Sequence, residues 1–128
     1  MPVTDVRIYF YDRCDTCRKA VKFLKARGIV PQLVPIREQP PTVAELQRML
    51  EITGSLRRLF NTSGGDYKAM NLAARLPDLS VAEALDLLSR QGNLVKRPFL
   101  LTGDGRGTVG FKQEEWEALF PGAPDGAV

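Results

Sequence analysis

Residues 6–11, Val-Arg-Ile-Tyr-Phe-Tyr, bring β-branched and aromatic types together and predict a first strand that stops at Asp12-Arg13. From Asp15 to Arg27 the period changes. Cys17, Ala20, Val21 and Leu24 recur at helical spacing, Arg18, Lys19, Lys22 and Lys25 take the other faces, and Gly28 supplies a stop. Ile29 to Ile36 predicts a second strand, and Pro31 and Pro35 within it favour a sheet edge, where a missing N–H costs nothing. Pro40-Pro41-Thr42 with Glu45 forms a capping box before Val43, Leu46, Met49 and Leu50, and Ser80 with Glu83 forms another before Val81, Ala84, Leu85 and Leu88. Between these helices, Ser55–Phe60 and Tyr67–Leu76 predict shorter helical pieces around the loop Asn61-Thr62-Ser63-Gly64-Gly65. Two short strands, Phe99–Thr102 and Gly107–Phe111, then flank the turn Gly103-Asp104-Gly105. A last helix carries Trp116, Leu119 and Phe120, which recur as core positions do, and Pro121-Gly122 closes it.

The order is therefore β-α-β, a block of helices, then β-β-α. A βαβ unit followed by a hairpin and a helix is the order of the thioredoxin fold. The expected architecture is α/β: a thioredoxin-like four-stranded mixed sheet with an inserted helical lobe. Residues 1–39 and 93–122 would form the sheet-bearing halves, 40–92 the lobe, and 123–128 a flexible tail.

Composition narrows the chemistry. The 128 residues suit one small soluble unit, and 18 Lys+Arg against 15 Asp+Glu leave a net charge of +3, too mild to require nucleic acid. There is no histidine, so His-activated nucleophiles and His-ligated zinc are excluded. No signal-peptide pattern opens the sequence and no apolar run approaches the roughly 18 residues of a membrane span, so the expected location is the cytoplasm. Special chemistry then rests on the only two cysteines, Cys14 and Cys17.

Cys14-Asp15-Thr16-Cys17 stands where a strand gives way to a helix. Free N–H groups and the positive end of the dipole at a helix N-terminus stabilise a thiolate, the reactive form of cysteine. Cys14 would attack, and Cys17, three residues on and facing the core, would resolve the adduct to a disulfide. The alternatives are two inert thiols, or half of a zinc site completed by another subunit. Lys96-Arg97-Pro98 precedes the third strand. It reads either as a charged loop end or as a cis-proline site, Pro98, with Arg97 directed at the Cys14 sulfur. Asn61, Thr62 and Ser63 read as a turn between helices or as a polar anion loop. The cations of the first helix read as a solvated face, with an acidic protein partner as the alternative.

With these residues in place, the chain resembles the bacterial arsenate reductase-like family that also contains the Spx and MgsR regulators. The resemblance runs from about Val6 to Pro121. It rests on Cys14-Asp15-Thr16-Cys17-Arg18-Lys19-Ala20, Pro40-Pro41-Thr42, Leu59-Phe60-Asn61-Thr62-Ser63-Gly64, Asn71-Leu72, Val95-Lys96-Arg97-Pro98 and Thr108-Val109-Gly110-Phe111. It implies a nucleophile at Cys14 and no bound cofactor, with glutathione, glutaredoxin or thioredoxin as reductant. The family's arsenate reductases surround the oxyanion with three arginines. Arg97 matches one of these, Asn61 stands at the second, and the third falls near Gly110-Phe111, with Lys112 and Arg106 close in sequence. For the regulator branch the resemblance implies a CxxC oxidation switch and docking to the C-terminal domain of the RNA polymerase α subunit, with Gly54 and Arg97 as the matching positions.

Overall fold

The structure is a computed structural model and describes residues 5–121; the tail expected over 123–128 lies outside them. The chain separates into two compact units, one running through Val34 and resuming at Arg97, the other spanning Pro35–Lys96.

The first unit holds the sheet. Its strands are β1 (Val6–Phe10), β2 (Gln32–Pro35), β3 (Phe99–Thr102) and β4 (Gly107–Val109), in the spatial order β2-β1-β3-β4. β2 occupies an edge, where Pro35 is tolerated. β1 and β3 run antiparallel with Ile8 opposite Leu100 and Tyr9 opposite Phe99; β3 and β4 pair antiparallel with Leu100 opposite Thr108. Because side chains alternate along a strand, Val6, Ile8 and Leu100 share one sheet face. There they pack with Ala20 and Leu24 of α1 (Asp15–Ala26) and with Trp116 of α6 (Gln113–Leu119). Trp116 is fully buried, edge-on to Phe111 at 5.0 Å and to Phe23 at 6.1 Å, and its indole N–H donates to the Gly110 carbonyl at 3.0 Å. On the opposite face Tyr9 and Phe99 meet edge to face at 5.7 Å.

Three of these strands are shorter than the sequence predicts. β1 ends at Phe10, one residue early, where Tyr11 begins the turn into α1. β2 does not begin at Ile29, because α1 ends in a Schellman turn: Gly28 at φ +75° donates to the Lys25 carbonyl and Ile29 to that of Leu24. β4 stops at Val109, because Gly110 takes φ +73° and donates to the Pro98 carbonyl at 2.8 Å. The β3–β4 turn is tied on both sides. The Arg106 guanidinium pairs with Asp104 at 3.1 Å and donates to the Leu119 carbonyl at 2.7 Å. The same pairing, together with the Thr102 hydroxyl, holds the Asp104 carboxyl down to about 2.

The second unit is helical. α2 (Val43–Thr53) and α5 (Val81–Arg90) pack together, and both open on complete capping boxes. Glu45 N–H donates to Thr42 Oγ1 at 3.1 Å and Glu83 N–H to Ser80 Oγ at 3.0 Å, and each glutamate accepts from its cap residue's amide. The helical piece expected over Ser55–Phe60 is a single 3₁₀ turn at Arg57–Leu59. That expected over Tyr67–Leu76 is broken into α3 (Gly65–Ala69) and α4 (Leu72–Arg75), because Asn71 between them takes the left-handed conformation at φ +53°, which an asparagine tolerates. An isolated antiparallel bridge joins Phe60 to Val95. Leu46, Met49, Leu59, Leu72, Leu85, Leu88 and Leu94 are fully or almost fully buried.

Candidate thiol site

Tyr11, Asp12 and Arg13 turn the chain from β1 into α1, and the turn closes with the Cys14 amide donating to the Tyr11 carbonyl at 3.0 Å. Cys14 is the N-cap of α1, with extended backbone (φ −95°, ψ 117°) and a carbonyl that accepts from Arg18 N–H at 3.0 Å. Its sulfur thus stands at the mouth of the helix N-terminus, where the Cys17 backbone N–H acts on it. Cys17 sits in the first turn and is fully buried, whereas Cys14 is partly exposed; both are free thiols.

The two sulfurs have opposite electrostatics. Burial pushes the Cys14 thiol up, but it is outweighed by the Cys17 backbone N–H, the Cys17 thiol and the Arg97 guanidinium, so Cys14 lies below its ordinary 9.0. Cys17 is pushed up to about 12, chiefly by burial and further by the neighbouring Cys14 sulfur; the Tyr11 backbone hydrogen bond and Arg97 oppose this only in part. The pair therefore holds one accessible sulfur that gives up its proton more readily than an ordinary thiol and one covered sulfur that keeps its proton at neutral pH.

Arg97 comes from the far side of the sequence. It precedes β3, and the Arg97–Pro98 peptide bond is cis, with Pro98 buried and Arg97 half-buried. Its guanidinium lies 5.1 Å from the centroid of the Tyr11 ring, a cation–π contact that steadies the charge beside Cys14. Tyr11 is the residue that sequence reading missed. It reads there as the last residue of a strand, yet its ring meets Arg97, its carbonyl closes the turn and its amide reaches Cys17. The only signal was its place immediately before the cysteine turn.

The other candidate residues fall as follows. Arg18 does not join Arg97: its guanidinium donates to the Asp12 carbonyl at 2.8 Å and pairs with the Asp15 carboxylate. Asp15 is thereby engaged in the turn. Arg106 is held by Asp104 and the Leu119 carbonyl, and Lys112 is the exposed N-cap of α6. Asn61, Thr62 and Ser63 belong to the helical unit. There the amides of Asn61, Thr62 and Gly64 donate to the carbonyls of Leu94, Phe60 and Asn61, so this loop is a closed turn leading into α3. Gly54 is the exposed, left-handed C-cap of α2 at φ +73°, its amide donating to the Leu50 carbonyl at 2.7 Å. Among the described residues no group of three or more Cys, Asp or Glu could hold a metal, and no helix is long and apolar enough to cross a membrane.

A CxxC at the N-terminus of the helix after the central strand β1, with a cis-proline before the adjoining strand β3, defines a thioredoxin-like thiol protein. Within that class the chain belongs to the ArsC family, which it matches over residues 9–119. It is 45% identical to the protein YusI of Bacillus subtilis over 111 residues, covering 85% of this chain and 92% of that one. It is 28% identical to the arsenate reductase of Neisseria meningitidis (91% and 98% covered) and 26% identical to the global transcriptional regulator Spx of Lactiplantibacillus plantarum (91% and 86%). Among solved structures it is similar to an ArsC family related protein from Bacteroides fragilis, with a TM-score of 0.84, 38% identity, and 91% and 98% of the two chains covered. The chain is thus arsenate reductase-like or Spx-like.

Proposed function

We propose that the protein is a thiol–disulfide oxidoreductase in which Cys14 is the nucleophile and Cys17 the resolving thiol. The observation that carries this reading is the asymmetry of the pair, with Cys14 below its ordinary value and Cys17 pushed up to about 12. Cys14 thiolate attacks one sulfur of a substrate disulfide. A mixed disulfide forms on Cys14, and the other substrate sulfur leaves as a thiolate. With Cys14 no longer anionic, one of the influences that raises Cys17 disappears, and burial is left opposed by the Tyr11 amide and Arg97. Cys17 then passes its proton to the departing sulfur and attacks Cys14. The first substrate sulfur takes a proton from solvent, so the substrate leaves as a dithiol and the protein as the Cys14–Cys17 disulfide. A thiol reductant of the glutathione, glutaredoxin or thioredoxin class returns it to the dithiol, which suits a reducing compartment such as the cytoplasm.

Arsenate reduction is the less favoured chemistry. A tetrahedral oxyanion is gripped best by several planar, bidentate guanidinium groups. Here Arg97 is half-buried beside Cys14, whereas Arg18 and Arg106 are engaged elsewhere. Similarity to global transcriptional regulators favours a second reading, in which the same dithiol is an oxidation switch that governs docking to the RNA polymerase α C-terminal domain.

The first test is alkylation and oxidation followed by peptide mass measurement. Limiting iodoacetamide at pH 7 is expected to label Cys14 before Cys17, and mild oxidation with a small disulfide to remove about 2 Da from the peptide holding both. Preferential labelling of Cys17, or no such loss, would overturn the assignment. A pull-down with the polymerase α C-terminal domain then separates the two readings. Redox-dependent capture lost in Gly54→Arg and kept in Gly54→Asn, which tolerates the left-handed cap, supports the switch. Disulfide turnover abolished by Cys14→Ser, without capture, supports the enzyme.

A further inference from the structure

Beside the thiol turn the sheet-bearing unit has a groove of about 480 Å³ running along α1. Phe10, Val21 and Leu33 give it an apolar lining. Leu33 is 42% exposed on the edge strand β2, an apolar side chain where a solvated edge ordinarily carries a polar one. The helix side is a single stripe, because Asp15, Arg18, Lys19 and Lys22 recur at i, i+3, i+4 and i+7. Charge is distributed unevenly along that stripe. At the thiol end Arg18 is engaged by Asp15 and the Asp12 carbonyl, and the Asp12 carboxylate adds negative charge to the groove wall. At the other end Lys19 and Lys22 are exposed and one turn apart.

We propose that this groove docks an extended segment of a protein partner, seating an apolar side chain on Phe10, Val21 and Leu33 and placing carboxylates against Lys19 and Lys22, so that the partner's sulfur is presented to Cys14. The purpose of docking rests on the thiol–disulfide reading above; the binding itself does not. The polarity follows from the charges, since Asp12 repels acidic side chains at the thiol end and the two lysines attract them at the other. Spacing follows from geometry. Asp15 to Lys22 spans about 10 Å of helix, which an extended segment covers in about three residues. From Cys14, Lys19 and Lys22 lie about 7.5 and 12 Å along the helix, so the partner carries its acidic residues about two and four positions from the reactive cysteine, on one side of the extended segment, with its apolar residue between them on the other. Pro31 and Pro35 remove N–H groups around the β2 edge, so recognition comes from side chains rather than from an added strand.

The test uses the reduced full chain and fluorescent peptides in which serine replaces the cysteine, with Glu two and four positions away and Leu three positions away, built in both chain directions. Anisotropy is expected to show binding that weakens with salt. Replacing both Glu by Lys is expected to weaken it by about tenfold or more, and the chain carrying Lys19→Glu with Lys22→Glu to reverse that preference. Leu33→Asp is expected to weaken both peptides. Equal affinity for acidic and basic peptides, or a preference that survives the double charge reversal, overturns the proposal. So does sedimentation showing that the same variants abolish self-association while no peptide binds, since the occupant is then a second copy. Each variant's reaction with the small disulfide 2,2′-dithiodipyridine is measured alongside. If the wild-type chain fails that reaction, the thiol–disulfide reading falls while the peptide-binding result is unaffected.

Discussion

Cys14 and Cys17 share one turn of backbone, yet their protonation is set by groups that differ in kind. Amides and a guanidinium act on Cys14, whereas burial and a neighbouring sulfur act on Cys17. The guanidinium is the separable part. Arg97→Ala removes both a hydrogen bond and a positive charge from Cys14, so the Cys14 value rises and the thiolate fraction at pH 7 falls. Alkylation of Cys14 at pH 7 is expected to slow by about three- to tenfold, with the pH–rate curve displaced to higher pH. Arg97→Lys retains charge but loses the planar group over Tyr11 and is expected to fall between. Superimposable pH–rate curves for wild type and Arg97→Ala would show that Arg97 does not activate the sulfur. The cysteine turn, the strand before it and the helix after it were all legible in the sequence, because each is a local pattern. Tyr11 was not, because a ring under a guanidinium 86 residues away leaves no local mark.

Helices show the same division between local and distant causes. Both capping boxes were legible and are complete, because cap and partner lie three residues apart. Ser80→Ala is expected to cost about 1 kcal/mol, read as a lower midpoint in urea. The break at Asn71 and the early end of β4 at Gly110 were not legible as such; one depends on a left-handed asparagine and the other on a carbonyl supplied by Pro98. Gly92 stands just past the end of α5, but the reason for glycine there is distant. A Cβ at Gly92 would lie 1.8 Å from the Ile36 carbonyl oxygen and 2.7 Å from its carbonyl carbon, both of them backbone atoms. Gly92→Ala is therefore expected to cost about 2–3 kcal/mol, more than loss of the cap. An unchanged unfolding midpoint for Gly92→Ala would refute the close approach.

At the scale of the whole molecule, Cys17 makes stability depend on pH on the alkaline side. Its folded value, about 12, lies above the ordinary 9.0, so the unfolded chain gives up this proton first. The contribution is complete below about pH 9 and is lost as the pH rises towards 12. Cys14 acts in the opposite sense: its folded value is lowered, so its contribution is present above 9.0 and is lost as pH falls through the folded value. Under reducing conditions, urea midpoints are expected to fall more steeply above pH 9 in wild type than in Cys17→Ala; parallel curves would assign the alkaline loss to other groups. Chain order has a last consequence. Cys14 and Arg97 are 83 residues apart in sequence, with the whole helical unit encoded between them. During synthesis the cysteines leave the ribosome long before the arginine that lies beside one of them. Until β3 joins β1, the nascent chain carries a CxxC without this cation, and the Cys14 thiol lacks the part of its lowering that Arg97 supplies. The acidity of the Cys14 thiol is thus tied to completed assembly of the sheet.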